Sequence, residues 1–317
     1  MPSILTVTNN LSTGAGSLQA EIAAAKNGDT IVFAPSMDGQ TIHTGLFDIT
    51  KNLTIQGPGA GHLTINPGGV VQTVRGRRVF KIENNVNVTL SGLTITGGNS
   101  NAAFDPTLFH PYDGKGGGIL NLGTLTVLGC NVSGNFANYA HGYGYGAGIY
   151  NAGTLTISNS TISGNSAGYV IDMGGTAGLG GGIYNAGTLT ISASTLSGNI
   201  AFWGGGIFNA GTLMLSASTL SGNVAHSVGG AIDNYGTYGL PGNGGNFYPP
   251  GGPGTLTVDG CTITGNKASL NGGGIFNAAT YAGTSPGTLT VKNSVFSGNL
   301  GGDILGPFTD DGGNTFS

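Results

Sequence analysis

The sequence predicts an all-β protein: a single right-handed parallel β-helix with three short strands per coil, about nine or more coils, and a short N-terminal capping helix. Three observations predict it. Gly180 and Gly204 open near-identical stretches, GGGIYNAGTLTISASTLSGN and GGGIFNAGTLMLSASTLSGN, 24 residues apart. Each copy holds short runs, TLTI, STLS and GGIFN, that alternate or are too short to be helices. Glycine supplies 64 of 317 residues at fixed places in the copies, without the strict period of collagen.

A copy of this length cannot bury its own apolar face. Stacked copies can, because each strand then pairs with its counterpart ~4.8 Å along an axis. Strands at equal phase run the same way, so the sheets are parallel and the connection is right-handed. The first hundred residues fit the plan with less regularity, through TIVFAP, LTIQG, HLTINP, VFKIE and VTLSGLTITGG. Between them lies SLQAEIAAAKNG, where Ser17 is an N-cap, Gly28 a stop, and Leu18, Ile22 and Ala25 share a face. A helix over 17–28 would lid the open end of the solenoid. DILGPFTDDGGNTFS at the other end has no comparable cap, so the chain is either a fragment of a longer protein or finishes in an exposed edge.

Further along, the Gly-Thr-Leu landmark recurs from Gly123 to Gly287, and Leu125, Leu155, Leu189, Leu213, Leu256 and Leu289 are expected to stack inward. Recurrent asparagines suit corners, since Asn tolerates left-handed backbone angles and its amide reaches the next coil. Cys130 and Cys261 align with Ser160, Ser194, Ser218 and Ser294. Four coils separate the two cysteines, ~19 Å at the strand spacing, so they are buried free thiols and not a disulfide. The whole of 1–317 is one domain, with loop insertions at 100–118, 136–148, 166–182 and 235–254.

The copies differ at two corners. Counting from the Asn of Ser-Gly-Asn to the next Ile gives 20, 14 and 18 residues in three consecutive coils (99→119, 135→149, 165→183), against 8 or 9 in the following ones. These loops carry Tyr112, Asp113, Lys115, Tyr139, His141, Tyr143, Tyr145, Tyr169 and Asp172, and short neighbouring corners add Trp203 and His226. Long loops on a rigid scaffold carry function. In Ile-x-Asn the middle residue is Leu120, Tyr150, Tyr184, Phe208, Asp233 and Phe276. If Ile faces in, this column faces out, giving an exposed aromatic ladder with one carboxylate. Such a platform suits sugar rings, and Tyr112, Tyr139, Tyr145, Tyr169, Trp203, His226, Tyr184 and Phe208 are the expected ligand-binding residues.

Composition narrows the function. Net charge is −4 and charged residues make up 7%, which excludes a nucleic-acid footprint, a charge-rich disordered chain and a coiled coil. Arg75, Arg77, Arg78 and Lys81 cluster, and read as a solvated turn. No apolar run reaches membrane-spanning length. MPSILTVTNN is a strand, not a signal peptide. No Cys/His spacing suggests zinc and no cofactor is expected; Asp303 and the Asp310 turn offer at most a weak calcium site.

GGGIYN, GGAIDN and VFSGN resemble the Gly-Gly-Ala/Gly-Ile and Phe-x-x-Asn repeats of the chlamydial polymorphic membrane proteins and related bacterial surface β-helices; Phe296 to Asn299 keeps the phenylalanine. The opening ILTVTNNLSTGAGSLQAEIAAAKNGDTIVF resembles the start of secreted bacterial β-helix domains. The resemblance implies the fold and an extracellular or cell-surface setting, and carries over no catalytic residue.

The leading expectation is therefore a non-catalytic adhesive, carbohydrate-binding or structural domain, with a glycan or a surface protein as partner. The alternative is a polysaccharide hydrolase or lyase. Hydrolysis wants two carboxylates across a groove, for which Asp113, Asp172 and Asp233 are candidates. Elimination wants a base and a cation to neutralise a uronate. A Tyr143/His141 pair could serve as acid and base, but Lys115 is the one cation near this corner, which counts against a lyase. A third reading is ice binding by outward Thr-x-Thr columns, an array found in insect antifreeze β-solenoids, here interrupted by Met214.

Overall fold

In the computed structural model the Thr-Leu strands from Thr124–Leu128 to Thr288–Lys292 stack residue on residue in register. It describes residues 1–68, 78–100, 114–138, 143–170, 176–236, 240–242, 245–247, 252–278 and 285–317. The first sheet has 11 strands, from Ile4–Val7 to Thr309–Asp310; the second has 10, from Gln40–Ile42 to Thr315–Phe316; the third has 9, from Phe47–Ile49 to Ile304–Leu305. The chain visits them in turn once per coil, and all three sheets are parallel, which is a parallel β-helix. A fourth, 5-stranded sheet of two-residue strands runs from Phe136–Ala137 to Lys267–Ala268. Antiparallel pairing among the described residues is confined to two loop insertions, at Tyr169–Val170 with Thr176–Leu179 and at Leu240–Gly242 with Gly245–Phe247.

The alternation that predicts these strands also sets the core. Leu125, Leu155, Leu189, Leu213, Leu256 and Leu289 lie opposite one another in register and are buried. Each such side chain contributes about 1.5–3 kcal/mol by leaving water. Every coil adds the same inward Leu/Ile/Val set, so one continuous core runs the length of the solenoid.

The corners are built from amides. Asn121, Asn151, Asn185, Asn209, Asn234 and Asn277 are buried; the first five each donate from Nδ2 to the next Oδ1 at 2.7–2.8 Å, and Asn277 ends the ladder on the Pro307 carbonyl at 2.6 Å. A second ladder runs through Asn135, Asn165, Asn199, Asn223, Asn266 and Asn299 at 2.9–3.0 Å. The amides do reach the next coil. The left-handed angle, however, is not theirs. In the second ladder it belongs to the preceding glycine, as at Gly198 and Gly222 with φ of 60° and 61°, while the first ladder simply ends its strands, as at Ile183–Asn185 and Ile207–Asn209. An L side chain resists that region, so glycine takes the bend and leaves asparagine free to bond.

Cys130 and Cys261 are buried free thiols in the serine column. The Cys130 N–H donates to Ser160 Oγ, Ser160 N–H to Ser194 Oγ, and Cys261 N–H to Ser294 Oγ, each at 3.1 Å. Burial pushes the Cys130 thiol up to about 11, and burial also raises Cys261. Neither has the thiolate character a nucleophile needs.

The capping helix, α1, spans Leu18–Ala24, shorter than the 17–28 segment expected. Ser17 Oγ accepts from Ala20 N–H at 3.2 Å, the expected N-cap. Ala25 turns extended because the chain is drawn into the first sheet: Asp29 accepts from Lys26 N–H at 2.8 Å and from Ser3 N–H at 2.7 Å. The Ser3 bond, then the Lys26 bond, hold the Asp29 carboxyl below its ordinary range. At the helix C-terminus, Lys51 Nζ donates to the carbonyls of Ile22, Ala23 and Ala25 at 3.2, 2.9 and 2.6 Å. A cation there satisfies orphan carbonyls and complements the helix dipole. Lys51→Met should loosen the lid by about 1–2 kcal/mol. Amide exchange should quicken at Ile22 and Ala25 before it does in the central coils.

Candidate functional site

The middle residues of the third-sheet strands form one column in register: Asp48, Lys81, Leu120, Tyr150, Tyr184, Phe208, Asp233, Phe276 and Leu305. Side-chain alternation points it away from the main core, as expected. It is not exposed. Tyr150, Tyr184, Phe208 and Phe276 retain at most 4% of their accessibility. The reason lies one turn earlier. In each coil the glycine opening Gly-Gly/Ala-Gly/Ala-Ile takes a left-handed angle, and at Gly180 (φ 69°) an added Cβ would lie 2.1 Å from the Ile183 carbonyl oxygen. The chain doubles back that tightly, and the residue before the glycine falls over the column. Those residues also stack, through Lys115, Tyr145, Leu179 and Trp203.

The result is a second apolar core outside the third sheet, containing Tyr145, Tyr150, Leu179, Tyr184, Trp203, Phe208 and Tyr235. Tyr150 stacks on Tyr184 at 5.2 Å, and Tyr184 on Phe208 at 5.4 Å. Tyr145 meets Tyr184 edge-on at 5.2 Å. Burial holds the Tyr145 and Tyr184 phenols well above their ordinary range. The expectation that Tyr184, Phe208, Tyr145 and Trp203 offer an open sugar platform is therefore corrected: their faces pack on one another. Asp233 is likewise fully buried, between Phe208 and Phe276 in the ladder. It does not face a groove.

Of the other expected site residues, Tyr112, Asp113, Tyr139, His141 and Asp172 lie outside the described residues, as does the side chain of Tyr169. Tyr143 and His226 are half-buried. Tyr143 packs against Tyr145 and Trp203, both at 6.3 Å. Asp303 accepts from Asn299 Nδ2 at 2.7 Å, while Asp310 accepts from Gly312 N–H at 2.8 Å and from Asn314 Nδ2 at 2.6 Å. Each carboxylate is thus tied into its own turn.

What the sequence reading missed is the charged start of the column. Arg78 is not part of a solvated turn. Its Nε donates to the carbonyls of Lys115 and Gly116 at 3.1 and 2.8 Å, and its Nη2 to Lys115 at 2.6 Å. Lys115 Nζ lies 5.4 Å from the Tyr150 ring centroid and 6.0 Å from that of Tyr145. Burial, and then the neighbouring Arg78 charge, push the Lys115 ammonium below the ordinary lysine range. Lys81 contacts Glu83 closely and lies 3.9 Å from Asp48. Burial raises the Asp48 carboxyl, and the adjacent Glu83 adds to this against the Lys81 charge. Asp48 also lines a cleft of about 250 Å³ against α1, with Gln19, Ile22, Ala23, Thr50, Lys51 and Leu53. Lys115 is therefore not alone: Arg78 holds its backbone and shares its electrostatic environment. The signal was present in FDI (47–49) and FKI (80–82), which have the spacing of Ile-x-Asn but lack its Gly-Gly lead.

Chemically, the corner offers a lysine held below its ordinary range by burial and by Arg78, a fixed guanidinium and protonated phenols. The carboxylates offer less for hydrolysis. Asp48 and Glu83 are both drawn to Lys81, and Asp233 is fully buried, so these three do not present the pair of carboxylates that a glycosidase sets across a groove.

No family profile matches the sequence, and no curated protein matches it. Solved structures do. The pectate lyase Pel9A is 15% identical with a TM-score of 0.55, over 98% of this chain and 79% of that one. An alginate lyase from Paenibacillus sp. str. FPU-7 is 14% identical with a TM-score of 0.55, over 98% of both chains. The likeness is one of fold. Kinship with the surface-repeat family is not confirmed, whereas the parallel β-helix is. No helix among the described residues is long and apolar enough to cross a membrane.

Proposed function

We propose that this chain is a polysaccharide-active enzyme that cleaves an acidic glycan by β-elimination at the Lys115 corner. The observation that carries the reading is Lys115 itself: half-buried, beside Arg78, and depressed from its ordinary range. A lysine tuned downward is a competent general base. On this reading the Lys115 amine takes the proton next to the uronate carboxylate, the C4–O4 bond breaks as a C4=C5 double bond forms, and the leaving oxygen takes its proton from the Tyr143 phenol. Burial raises Tyr143, so it is protonated at neutral pH. Arg78 supplies fixed positive potential for the carboxylate. The adhesive reading loses its main support because the aromatic ladder is covered. That solved neighbours with this fold include a pectate lyase and an alginate lyase adds weight, at low identity. Substrates of this class place the enzyme outside the cell or on its surface.

The test is an ultraviolet assay for unsaturated ends over polygalacturonate, alginate and neutral glycans, with Lys115→Met alongside. Turnover confined to acidic polymers and lost in the variant supports the reading; turnover on none of them sinks it.

A second reading attaches to the first sheet. Its outward threonines continue in register through Thr30, Thr54, Thr89, Thr126, Thr156 and Thr190, and after Met214 through Thr257, Thr290 and Thr309. A regular hydroxyl array of this kind would order water. Thermal hysteresis measures it, with Met214→Thr expected to enlarge the effect.

A further inference from the structure

We infer that Phe202 and His226 form a sugar-binding platform along the solenoid from Lys115, with Trp203 beneath it; the inference rests on the glycan reading above. The position is set by the fold. Lys115, Tyr145, Leu179 and Trp203 succeed one another in parallel pairing, which places Trp203 three coils from Lys115, ~14 Å along the axis. A line of rings joins them. Lys115 Nζ is 6.0 Å from Tyr145, Tyr145 6.3 Å from Tyr143, Tyr143 6.3 Å from Trp203, and Trp203 4.5 Å from Phe202.

Exposure separates the last two rings of this line. Trp203 keeps 5% of its accessibility and Phe202 keeps 36%. Phe202 sits edge-on to Trp203 at 68°, so the indole supports a ring whose own surface is not spent on the core. The backbone beneath is fixed, because Phe202 and Trp203 N–H both donate to the Gly178 carbonyl, and Phe202 accepts from Ser227 N–H. Ala201 pairs with Ala225, so Phe202 and His226 occupy equivalent places in adjacent coils, ~4.8 Å apart. An aromatic face stacks on the C–H face of a sugar, and an imidazole bonds its hydroxyls. The distance to Lys115 suits an extended polymer and is too long for one ring to bridge.

The chain's one tryptophan lies inside this site, so its fluorescence reports occupancy separately from turnover. The experiment titrates Trp203 emission with oligogalacturonides and alginate oligosaccharides of increasing length, in the full chain and in Phe202→Ala, His226→Ala, Phe202→Tyr and Lys115→Met. Emission is expected to respond to longer oligomers and not to monosaccharide. Phe202→Ala should weaken the titration and raise KM on polymer by about tenfold, leaving kcat unchanged. Phe202→Tyr should restore both, and Lys115→Met should bind while failing to turn over. If Phe202→Ala and His226→Ala titrate as the parent does, the platform is wrong while elimination at Lys115 stands on its own assay. If the parent turns nothing over but its emission still depends on Phe202, elimination is wrong and the platform stands. Unresponsive emission at every length overturns the platform outright.

Discussion

Replacing Asn199 by leucine should destabilise the solenoid by about 3–6 kcal/mol, among the largest effects of any single substitution in the chain. Asn199 is fully buried. Its Nδ2 donates to the Ile162 carbonyl and to Asn223 Oδ1, both at 2.9 Å. Its Oδ1 accepts from Asn165 N–H at 3.1 Å and from Asn165 Nδ2 at 2.9 Å. Leucine keeps the branched shape, but its methyl groups are bulkier than the amide, so crowding in this buried corner adds to the loss. It leaves the Asn165 N–H and one Asn165 amide hydrogen buried without partners, each at about 1–3 kcal/mol, and takes from the Ile162 carbonyl the second of its two donors, the first being the strand ladder. Asn199→Asp is expected to fail as well. It keeps the acceptor but loses the donor, and sets a second acceptor against Asn223 Oδ1 and the Ile162 carbonyl. Asn299 makes the equivalent bonds where the ladder is only half-buried. Water then replaces lost partners, so Asn299→Leu should cost about 1–2 kcal/mol. Urea midpoints measure the contrast. Equal losses at both positions would mean that the ladder is stabilised by something other than buried hydrogen bonds.

This ladder also marks how far the sequence could be read. The three landmarks, their spacing and the alternation within TLTI were enough for the parallel β-helix, the Leu column, the serine–cysteine column and the cap at Ser17. Those features depend on period and on neighbours in the repeat, which a sequence carries explicitly. Alternation also placed Tyr184 and Phe208 on the outer face correctly. It could not say what lies over that face. The cover comes from the left-handed turn at Gly180 and its equivalents, a backbone reversal that throws Tyr145, Leu179 and Trp203 across the ladder. A trace was there to read: the residue before that glycine is large and apolar in Tyr145, Leu179, Trp203 and Val228, which makes little sense on an open corner. The charged start of the column was harder. Asp48 and Lys81 sit in coils without the Gly-Gly lead, and Arg78 meets Lys115 across 37 residues. That contact is set by stacking, not by any local motif.

The pH dependence of turnover should follow Lys115. A general base works unprotonated, so kcat/KM is expected to rise with pH along a limb set by this amine. The limb should lie below the ~10.4 of an ordinary lysine, because burial and then Arg78 disfavour the ammonium. The Tyr145 and Tyr150 ring faces oppose this in part by attracting the cation, which limits the depression without reversing it. Lys115→Met should lower kcat by about 10²–10⁴-fold and abolish the limb. Lys115→Arg keeps the charge but cannot give up the proton, so it should be as inactive as the methionine variant. If arginine instead retains activity, the residue neutralises the substrate carboxylate and another group is the base. Arg78→Met removes a positive neighbour, and the limb should move to higher pH. Stability supplies an independent check on the same group. A lysine with a depressed folded-state pKa binds fewer protons folded than unfolded, so its contribution to stability rises with pH between the folded and unfolded values. Lys115→Met should remove that rise. Losing the catalytic limb while keeping the stability slope would separate the base from the depressed lysine and move the search to another residue.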